Sequence, residues 1–569
     1  MVGITVATEA HQVAVKEMIK CMMEPKAKPK DMSFTMGWDV VASYSEDKIN
    51  KLLTDRHEHG NSGMLQEFTF EAEEWNKFAQ SKTPGTKKGA FVKVNYRTTF
   101  GPPLLQFDPT ATAVPMCSIQ MKIIQGTIQM GDDDPEDIPA DWTLKLNNIL
   151  LLTAKGELSD QGIIKGNPPL IPGTEAITFG SGNDETQHVV LGFEMSKGKI
   201  VVEAIAPTGT NMNLKEHIVT QSSFQDAFKE FFVGGPDEVG KPKAPSRSLS
   251  YSIACVNNKR NDKAVDLTPT KFQFATYFGT GENKDVRLIS IFIEVKGGPK
   301  RGQTEKLQEG WTTQWFQNGT SPVPRGLSAS LIISSKIFTS IILTQGFGSS
   351  WTVEEVPSDT AAGTKVDCKN SKIWDVSQQD LDYSGTNIFH IDGFSVSLKD
   401  WPLQLTFKQD DPGNAPTIYA YWEIKANIHW ENTFKVLAVG KRVTGTQGYI
   451  NALYRMCDSK KFNDPLKLNS DIAVSDDGFS LDLKLETQTF RMDQSEENGI
   501  DYGTWKKGME KLWSQAPAAS FSPFGIRFLR TTNLLMPGSH VIDINEGIGL
   551  RIPKDLVLVG DVEEEKSKA

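Results

Sequence analysis

The chain has 569 residues, of which 38% are hydrophobic and 23% are charged. This composition excludes an intrinsically disordered chain and a bundle of membrane-spanning helices. Sixty-one basic and 71 acidic residues leave a net charge of −10. A general nucleic-acid binder needs a basic face, so we expect no nucleic-acid partner. The sequence instead predicts a soluble protein with a large apolar core.

The N-terminal segment and the cysteines indicate the compartment. Glu9, Lys16 and Glu17 interrupt any apolar run near the start, so the segment does not have the pattern of a secretion signal. The five cysteines are far apart and form no CxxC pair; they stand at positions 21, 117, 255, 368 and 457. This spacing predicts free thiols in a reducing compartment. We expect a protein that is cytoplasmic or released without a signal peptide.

The chain is predicted to contain two modules. Residues 1–32 form an N-terminal arm that ends in the basic sequence KAKPK, and residues 33–232 form the first module. The segment Val233–Ser248 holds three glycines and three prolines among sixteen residues, which predicts a linker. The second module is expected to take residues 249–561, including C-terminal strands that could return to the first module. Residues 562–569 are expected to be a solvated tail.

Helical patterns are few. Ser45–Arg56 opens with a serine that can cap a helix, followed by two acidic residues that suit the positive end of the helix dipole. Ser222–Phe232 places Phe224, Phe228 and Phe231 on one face of a helix. An aromatic stripe of this kind is more often core than a ligand site.

Alternation of apolar and polar residues is the strongest pattern in the chain. In Phe479–Phe490, FSLDLKLETQTF, most apolar residues stand at every second position, which predicts a strand with one buried and one solvated face. Similar runs occur at residues 118–130, 189–205, 287–296, 388–408 and 418–434. Strands of parallel sheets are apolar on both faces, so one-sided strands in this number predict large antiparallel sheets.

The stretch Leu327–Leu343 fits two structures. Odd positions are apolar in seven of nine cases, as in a strand. Seventeen residues are long for a strand, however, since the usual length is about five or six. Read as a helix, the stretch has Lys336 on one side and an apolar stripe on the other. The stripe consists of Leu327, Leu331, Phe338, Ile341 and Ile342.

Catalytic and metal-binding motifs are not recognisable. The sequence has no G-x-S-x-G element, and His57 and His59 lack the H-E-x-x-H spacing. Gly235–Lys241 matches the start of a P-loop, but Pro242 stands where a Ser or Thr would hold Mg²⁺. We therefore predict a protein without catalytic residues, metal site or cofactor.

Three parts of the chain together resemble one family. They are MGWDVVASYSEDKINKLL at Met36–Leu53, the pair Leu267–Phe292 and Pro322–Leu343, and TNLLMPGSHVIDINEGIGLRIPKDLVLVGDV at Thr532–Val562. The order and co-occurrence of these stretches are similar to the forty-seven-kilodalton proteins of clostridial neurotoxin gene clusters, the companions of the OrfX proteins. That family belongs to the tubular lipid-binding superfamily. The arm before residue 33 departs from the family pattern.

The resemblance implies a β-rich α+β fold in which two curved antiparallel sheets each wrap a long helix. It favours the helix at Leu327–Leu343, with its stripe facing an apolar lumen, and a corresponding helix that starts at Glu46–Arg56. The implied function is non-enzymatic lipid binding by an accessory or insecticidal component of a toxin cluster. The alternative is a structural assembly subunit with a filled core. Expected partners are a lipid or other apolar ligand and other toxin-cluster proteins, with at most peripheral membrane contact.

Overall fold

The structure is a computed structural model. It describes residues 8–26, 33–58, 67–76, 90–109, 113–158, 164–165, 169–180, 185–193, 196, 198–208, 222–233, 252–258, 267–279, 283–298, 306–357, 363–382, 387–436, 441–456, 465–475, 478–484, 489–492, 512, 519, 524–526, 532–534, 540–545 and 547–564.

The described residues include four longer helices and one composite helix. The longer helices are α1 (Glu9–Met23), α2 (Glu46–Glu58), α3 (Ser222–Val233) and α4 (Leu307–Gln317). The composite helix, which we call the 335–347 helix, joins α5 (Ser335–Ile337), a π-helical turn (Phe338–Leu343) and α6 (Thr344–Phe347). A 3₁₀ turn follows at Leu398–Asp400. No helix in this described part is long and apolar enough to cross a bilayer.

The strands are, in chain order, β1 (Val40–Ser45), β2 (Glu67–Asn76), β3 (Ala90–Phe100), β4 (Leu104–Phe107), β5 (Met116–Met130), β6 (Glu136–Ile138), β7 (Thr143–Lys155), β8 (Ile171–Pro172), β9 (Ile177–Thr178), β10 (Thr186–Gly192), β11 (Val201–Ile205), β12 (Ser252–Asn257), β13 (Pro269–Phe278), β14 (Arg287–Val295), β15 (Ala329–Ile333), β16 (Trp351–Val356), β17 (Gly363–Asn370), β18 (Ile373–Val376), β19 (Gln379–Asp382), β20 (Asn387–Ile391), β21 (Phe394–Ser397), β22 (Leu403–Lys408), β23 (Thr417–Val436), β24 (Lys441–Met456), β25 (Leu466–Lys467), β26 (Asn469–Ser475), β27 (Gly478–Lys484), β28 (Thr489–Met492), β29 (Phe524–Ile526), β30 (Thr532–Leu534), β31 (His540–Ile544) and β32 (Leu556–Glu564).

Three large antiparallel sheets organise these strands. The central sheet has the order β31-β32-β15-β1-β14-β13-β9. The eleven-stranded sheet has the order β2-β3-β5-β7-β10-β12-β30, with β4 and β6 paired to β5 and with β8 and β11 paired to β7. The nine-stranded sheet has the order β16-β17-β22-β23-β20-β19 and also includes β24, β25 and β28. The prediction of large antiparallel sheets with few helices is confirmed.

The predicted domain boundaries can be placed on this topology. The arm contains α1, and the predicted linker lies, apart from Val233, outside the described residues. The eleven-stranded sheet combines strands from residues 67–205 with β12 and with the C-terminal β30. The last strand, β32, runs to Glu564 and so extends into the predicted tail. The boundaries themselves stay predictions.

The predicted single helix over Leu327–Leu343 is wrong in its first half. Ala329–Ile333 is strand β15, and the helix begins only at Ser335. β15 is a central strand between β1 and β32, and all five of its residues are buried because a core covers each face of the sheet. A strand buried in this way gives a continuous apolar run, which resembles a buried helix. A long helix wrapped by each sheet is therefore not what the structure shows.

Two strand–helix units meet at the middle of the central sheet. β1 runs into α2, β15 runs toward the 335–347 helix, and the two strands pair with Ala42 opposite Leu331. Their junctions are reciprocal: the Ser45 N–H donates to Ser328 O and the Ser334 N–H donates to Asp39 O, both at 2.9 Å. Each junction serine also accepts a bond at 3.3 Å from the N–H three residues on, which caps its helix.

The central sheet is apolar on both faces, and each face belongs to a different core. One face, which includes Ala42 and Leu331, continues into the core of the eleven- and nine-stranded sheets. The other face includes Val41 and Ile332 and is covered by α1 and α4. The sheet therefore separates a back layer, which contains the N-terminal arm, from the interior that the two larger sheets share.

Two buried carboxylates hold the junctions together. Asp39 is 1% exposed, and its Oδ2 accepts the Val295 N–H at 2.9 Å. Asp555 is 0% exposed and accepts the N–H groups of Phe34 at 2.7 Å and Ser335 at 3.0 Å. Burial raises the pKa of Asp39 to about 7 and that of Asp555 to about 6.

These raised pKa values predict that the protein loses stability as the pH rises from 5 to 7. The folded state keeps protons that the unfolded state, with carboxyl pKa values near 4, has already released. Each such proton lowers the free energy of unfolding by about 1.4 kcal/mol per pH unit. The variant Asp39→Asn, which can still accept the Val295 N–H, should lose less stability over this range. Urea unfolding at pH 5, 6 and 7 checks this, and equal pH slopes for the two proteins would contradict it.

Candidate functional site

The five residues predicted to line a lumen do not form one stripe. Leu331, Phe338 and Ile342 are fully buried in the core of the two larger sheets, and Ile341 is partly buried against the same core. Leu327 is 6% exposed and lies in the back layer with α1 and α4. The separation arises because the chain enters the central sheet between Leu327 and Leu331. A ligand role for these residues stays a prediction.

The 335–347 helix packs into the nine-stranded sheet through aromatic rings. The Phe338 ring meets Phe407 of β22 edge-on, with centroids 5.0 Å apart. At the other end of the helix, the rings of Phe347 and Trp351 are 5.1 Å apart, and Trp351 lies 6.0 Å from Trp422. Aromatic side chains therefore fill this side of the interior.

Helix α3 packs against the eleven-stranded sheet through aromatic rings in the same way. The buried stripe is Phe224, Phe228 and Phe232, at 0%, 0% and 2% exposure, whereas the predicted Phe231 side chain lies outside the described residues. The spacing of four residues was readable from the sequence. Three ring pairs join α3 to the sheet and to the residue after β10: Phe224 with Tyr96 at 5.2 Å, Phe228 with Phe100 at 5.5 Å, and Phe232 with Phe193 at 5.0 Å.

The inner face of this sheet carries a row of apolar side chains that continues away from α3. We call this row the apolar track. The inward residues of β7 and β10 belong to one buried core; they are Leu144, Leu146, Ile149, Leu151, Val189 and Leu191. The residues between them on the outer side, such as Leu152 and Val190, belong to a small separate cluster. The alternation of the strands thus places a continuous apolar surface inside the sheet.

Helix α2 closes the interior along edge strand β4. The Asn50 amide imitates a neighbouring strand, because it donates to Leu105 O at 2.8 Å and accepts the Leu105 N–H at 2.7 Å. Glu46 Oε2 accepts the Phe107 N–H at 2.5 Å, and burial raises the pKa of Glu46 to about 7. These bonds satisfy the free edge of β4 and fix α2 beside it.

The described residues of the interior are mainly apolar. Within the described ranges, no group of three or more His, Cys, Asp or Glu side chains is placed to hold a metal ion. Cys21, Cys117, Cys255 and Cys368 are free thiols. Burial raises the pKa of Cys117 and Cys368, which disfavours the thiolate that a nucleophile needs. The inward surface of the eleven-stranded sheet consists mainly of apolar side chains.

The solved structures that match the chain include two clostridial proteins. P47 of Clostridium botulinum E1 is 13% identical, with 93% of this chain and 100% of that chain covered and a TM-score of 0.42. P47 from Clostridium botulinum A2 is 12% identical, with 93% and 98% covered and a TM-score of 0.45. A lipopolysaccharide binding protein is 9% identical, with 93% and 100% covered and a TM-score of 0.27.

The resemblance to P47 proteins that the sequence indicated thus recurs among solved structures. At these identities and TM-scores, the likeness transfers no site residue and no function to this chain. No protein-family model and no curated protein matches the chain.

Proposed function

We propose that this chain is a non-enzymatic protein that binds lipid acyl chains, or a similar apolar ligand, inside the eleven-stranded sheet. The observation that supports the proposal is the docking of α3. Three phenylalanines of this helix occupy an apolar interior, where their rings contact Tyr96, Phe100 and Phe193. Side-chain packing therefore holds α3 on the sheet.

The physical basis is an exchange of one apolar group for another. An acyl chain gains about 0.8 kcal/mol for each methylene that leaves water. A chain that enters the interior under α3 would take the place of the Phe224, Phe228 and Phe232 rings, so the sheet keeps its apolar contacts. In this proposal, the ligand displaces α3 from the sheet.

The proposal extends to part of the second unit. Leu331, Phe338 and Ile342 belong to the same continuous core, and Ile341 packs against it. A long or branched ligand would reach these residues from the first interior. Leu327 is not included, because it lies across the central sheet in the back layer.

A role as an accessory or insecticidal component of a toxin cluster is also part of the proposal, and it rests on the sequence resemblance alone. Other toxin-cluster proteins are the partners that this role implies. The alternative function is a structural assembly subunit without a ligand. The aromatic core around Phe338 and Phe228 is consistent with this alternative, because its packed rings stabilise the fold without a ligand.

Native mass spectrometry of gently purified full-length protein tests the proposal. We expect bound mass that is released on activation and identified as lipid. Protein that is empty, and that stays empty after incubation with lipid vesicles, would support the assembly subunit instead.

A further inference from the structure

Four polar side chains face the apolar interior of the eleven-stranded sheet near one end. They are almost fully buried: Thr153 is 1% exposed, Gln187 is 3% exposed, and Tyr44 and Thr532 are 0% exposed. The Thr153 Oγ1, Gln187 Oε1, Tyr44 Oη and Thr532 Oγ1 atoms have no hydrogen-bond partner in the part of the chain that the structure describes. We call these four side chains the polar cluster.

The strand alternation shows that the members of the polar cluster point inward. Thr153 stands between Leu152 and Ala154, which belong to the outer cluster, and two residues after Leu151 of the inner core. By the same alternation, Gln187 shares the face of Val189 and Leu191, and Thr532 shares that of Leu534. Tyr44 is itself a member of the inner core.

The pairing of the strands places these side chains close together. Gln187 is opposite Val256, and Val256 is opposite Thr532. Gln187 and Thr532 are therefore two strands apart, with their backbones about 10 Å from each other. Thr153 is opposite Val189, the next inward residue after Gln187. Gln187 and Thr153 are therefore diagonal neighbours on one sheet face, and Thr532 lies on the same face with Val256 between it and Gln187.

Tyr44 reaches this face from the central sheet. Burial raises the pKa of its phenol, and the neighbouring Thr532 hydroxyl opposes that shift. The two hydroxyl groups are thus adjacent, although their geometry is not that of a hydrogen bond. The phenol therefore lies at the Thr532 side of the polar cluster.

The apolar track begins at the polar cluster and ends at α3. Along β10 and just past its end, the inward residues after Gln187 are Val189, Leu191 and Phe193, and Phe193 stacks on Phe232 of α3. The distance from residue 187 to residue 193 is about 20 Å in an extended strand. One leaflet of a bilayer core is about 15 Å thick, so the track has the length of an acyl chain. A polar end and an apolar length are the two parts of an amphiphile.

We propose that the polar cluster binds the hydroxyl-bearing end of an uncharged amphiphile of the monoacylglycerol type, whose acyl chain lies along the track toward α3. This inference rests on the proposed function and names its ligand class. Gln187 Oε1 can only accept, so the ligand has to donate a hydrogen bond. The Tyr44, Thr153 and Thr532 hydroxyls can donate to the ligand's oxygens. A glycerol hydroxyl does both.

The charges around the polar cluster argue against an anionic ligand. Lys155, which is opposite Gln187, forms an ion pair with Glu185. Hydrogen bonds from Lys155 and from the Gly180 N–H lower the pKa of Glu185, and the Gln187 side chain acts in the same direction. A carboxylate or phosphate at the polar cluster would be buried without a counter-charge of its own. An uncharged polar group avoids that cost.

The test compares two probes that differ in their hydroxyl groups. One is a monoacylglycerol and the other is the methyl ester of the same fatty acid, each measured by displacement of a fluorescent lipid from the full-length protein. The wild-type protein should prefer the monoacylglycerol by about tenfold, since the ester cannot donate to Gln187. The double variant Tyr44→Phe, Thr532→Val should lose most of this preference and should melt no lower than wild type, because it removes buried polar atoms that lack partners.

Thr98→Val is the matched control. Thr98 lies on β3 of the same sheet, is 0% exposed and also has a hydroxyl without a described partner. It stands between Tyr96 and Phe100, the α3 contacts, and thus at the other end of the track. This variant should keep the preference for the monoacylglycerol.

The outcomes separate this inference from the proposed function. Equal binding of both probes by wild-type protein, or tighter binding of the methyl ester, would overturn the inference and leave acyl-chain binding intact. A double variant that melts lower and keeps the preference would show a purely structural role for the two hydroxyls. Binding of neither probe would overturn the proposed function and this inference with it.

Discussion

Replacing Phe228 with alanine is expected to lower the free energy of unfolding and, at the same time, to tighten the binding of an apolar ligand. Phe228 is fully buried, with ring centroids 5.5 Å from Phe100 and 5.2 Å from Phe232. Loss of such a ring costs about 3–5 kcal/mol. Part of this energy holds α3 on the sheet, where α3 competes with the ligand. If the free energy that holds α3 on the sheet falls by about 3 kcal/mol, the apparent affinity for the ligand rises by about a hundredfold.

The matched control is Phe407→Ala on the nine-stranded sheet. Phe407 is also 0% exposed, and its ring meets that of Phe338 edge-on with centroids 5.0 Å apart. It should lower the melting temperature by a similar amount without raising the affinity for a fluorescent lipid. If Phe228→Ala binds the lipid no more tightly than wild type does, α3 does not compete with the ligand.

The second large effect is expected for Asp555→Ala, which should lower the free energy of unfolding by about 1–3 kcal/mol. The Asp555 carboxylate accepts bonds from the backbone of Phe34 and Ser335 and from the Ser33 hydroxyl. It therefore joins the start of the first strand–helix unit to the start of the 335–347 helix. Alanine leaves these buried donors without an acceptor. Chemical denaturation of both proteins at pH 7 measures the loss.

Asp375→Ala supplies the comparison for this effect. Asp375 is exposed and accepts only from the Ser395 hydroxyl, at 2.5 Å, among the bonds that the structure describes. A surface substitution of this kind should change the free energy of unfolding by less than about 0.5 kcal/mol. Equal losses for the two aspartate variants would mean that Asp555 does not anchor the junction.

Local patterns in the sequence predicted much of this fold. The alternation in Phe479–Phe490 predicted a strand, and the structure has β27 at Gly478–Lys484 and β28 at Thr489–Met492. Similar runs predicted the antiparallel sheets, because strand alternation is set by neighbouring residues alone. The start of α2 followed from the capping serine and the acidic first turn. The aromatic stripe of α3 was predicted at Phe224 and Phe228, and both are buried.

The parts that were missed depend on contacts between distant residues. Ala329–Ile333 is a strand because β1 and β32 lie on either side of it, and an apolar run by itself does not distinguish that from a buried helix. The polar cluster brings together Tyr44, Gln187 and Thr532, which are far apart in the chain. The sequence around a threonine on a strand does not show whether its side chain faces inward. Only the strand pairing could therefore reveal the polar cluster.

Photo-crosslinking tests the central claim, that the ligand lies inside the eleven-stranded sheet, most directly. A lipid with a photoreactive group in its acyl chain is irradiated with the full-length protein, and the modified peptides are identified by mass spectrometry. The predicted result is modification of the inward residues of β7 and β10, between residues 144 and 151 and between 189 and 193, with competition by unlabelled lipid. Modification confined to the back layer of α1 and α4, or spread over the surface without competition, would contradict the claim.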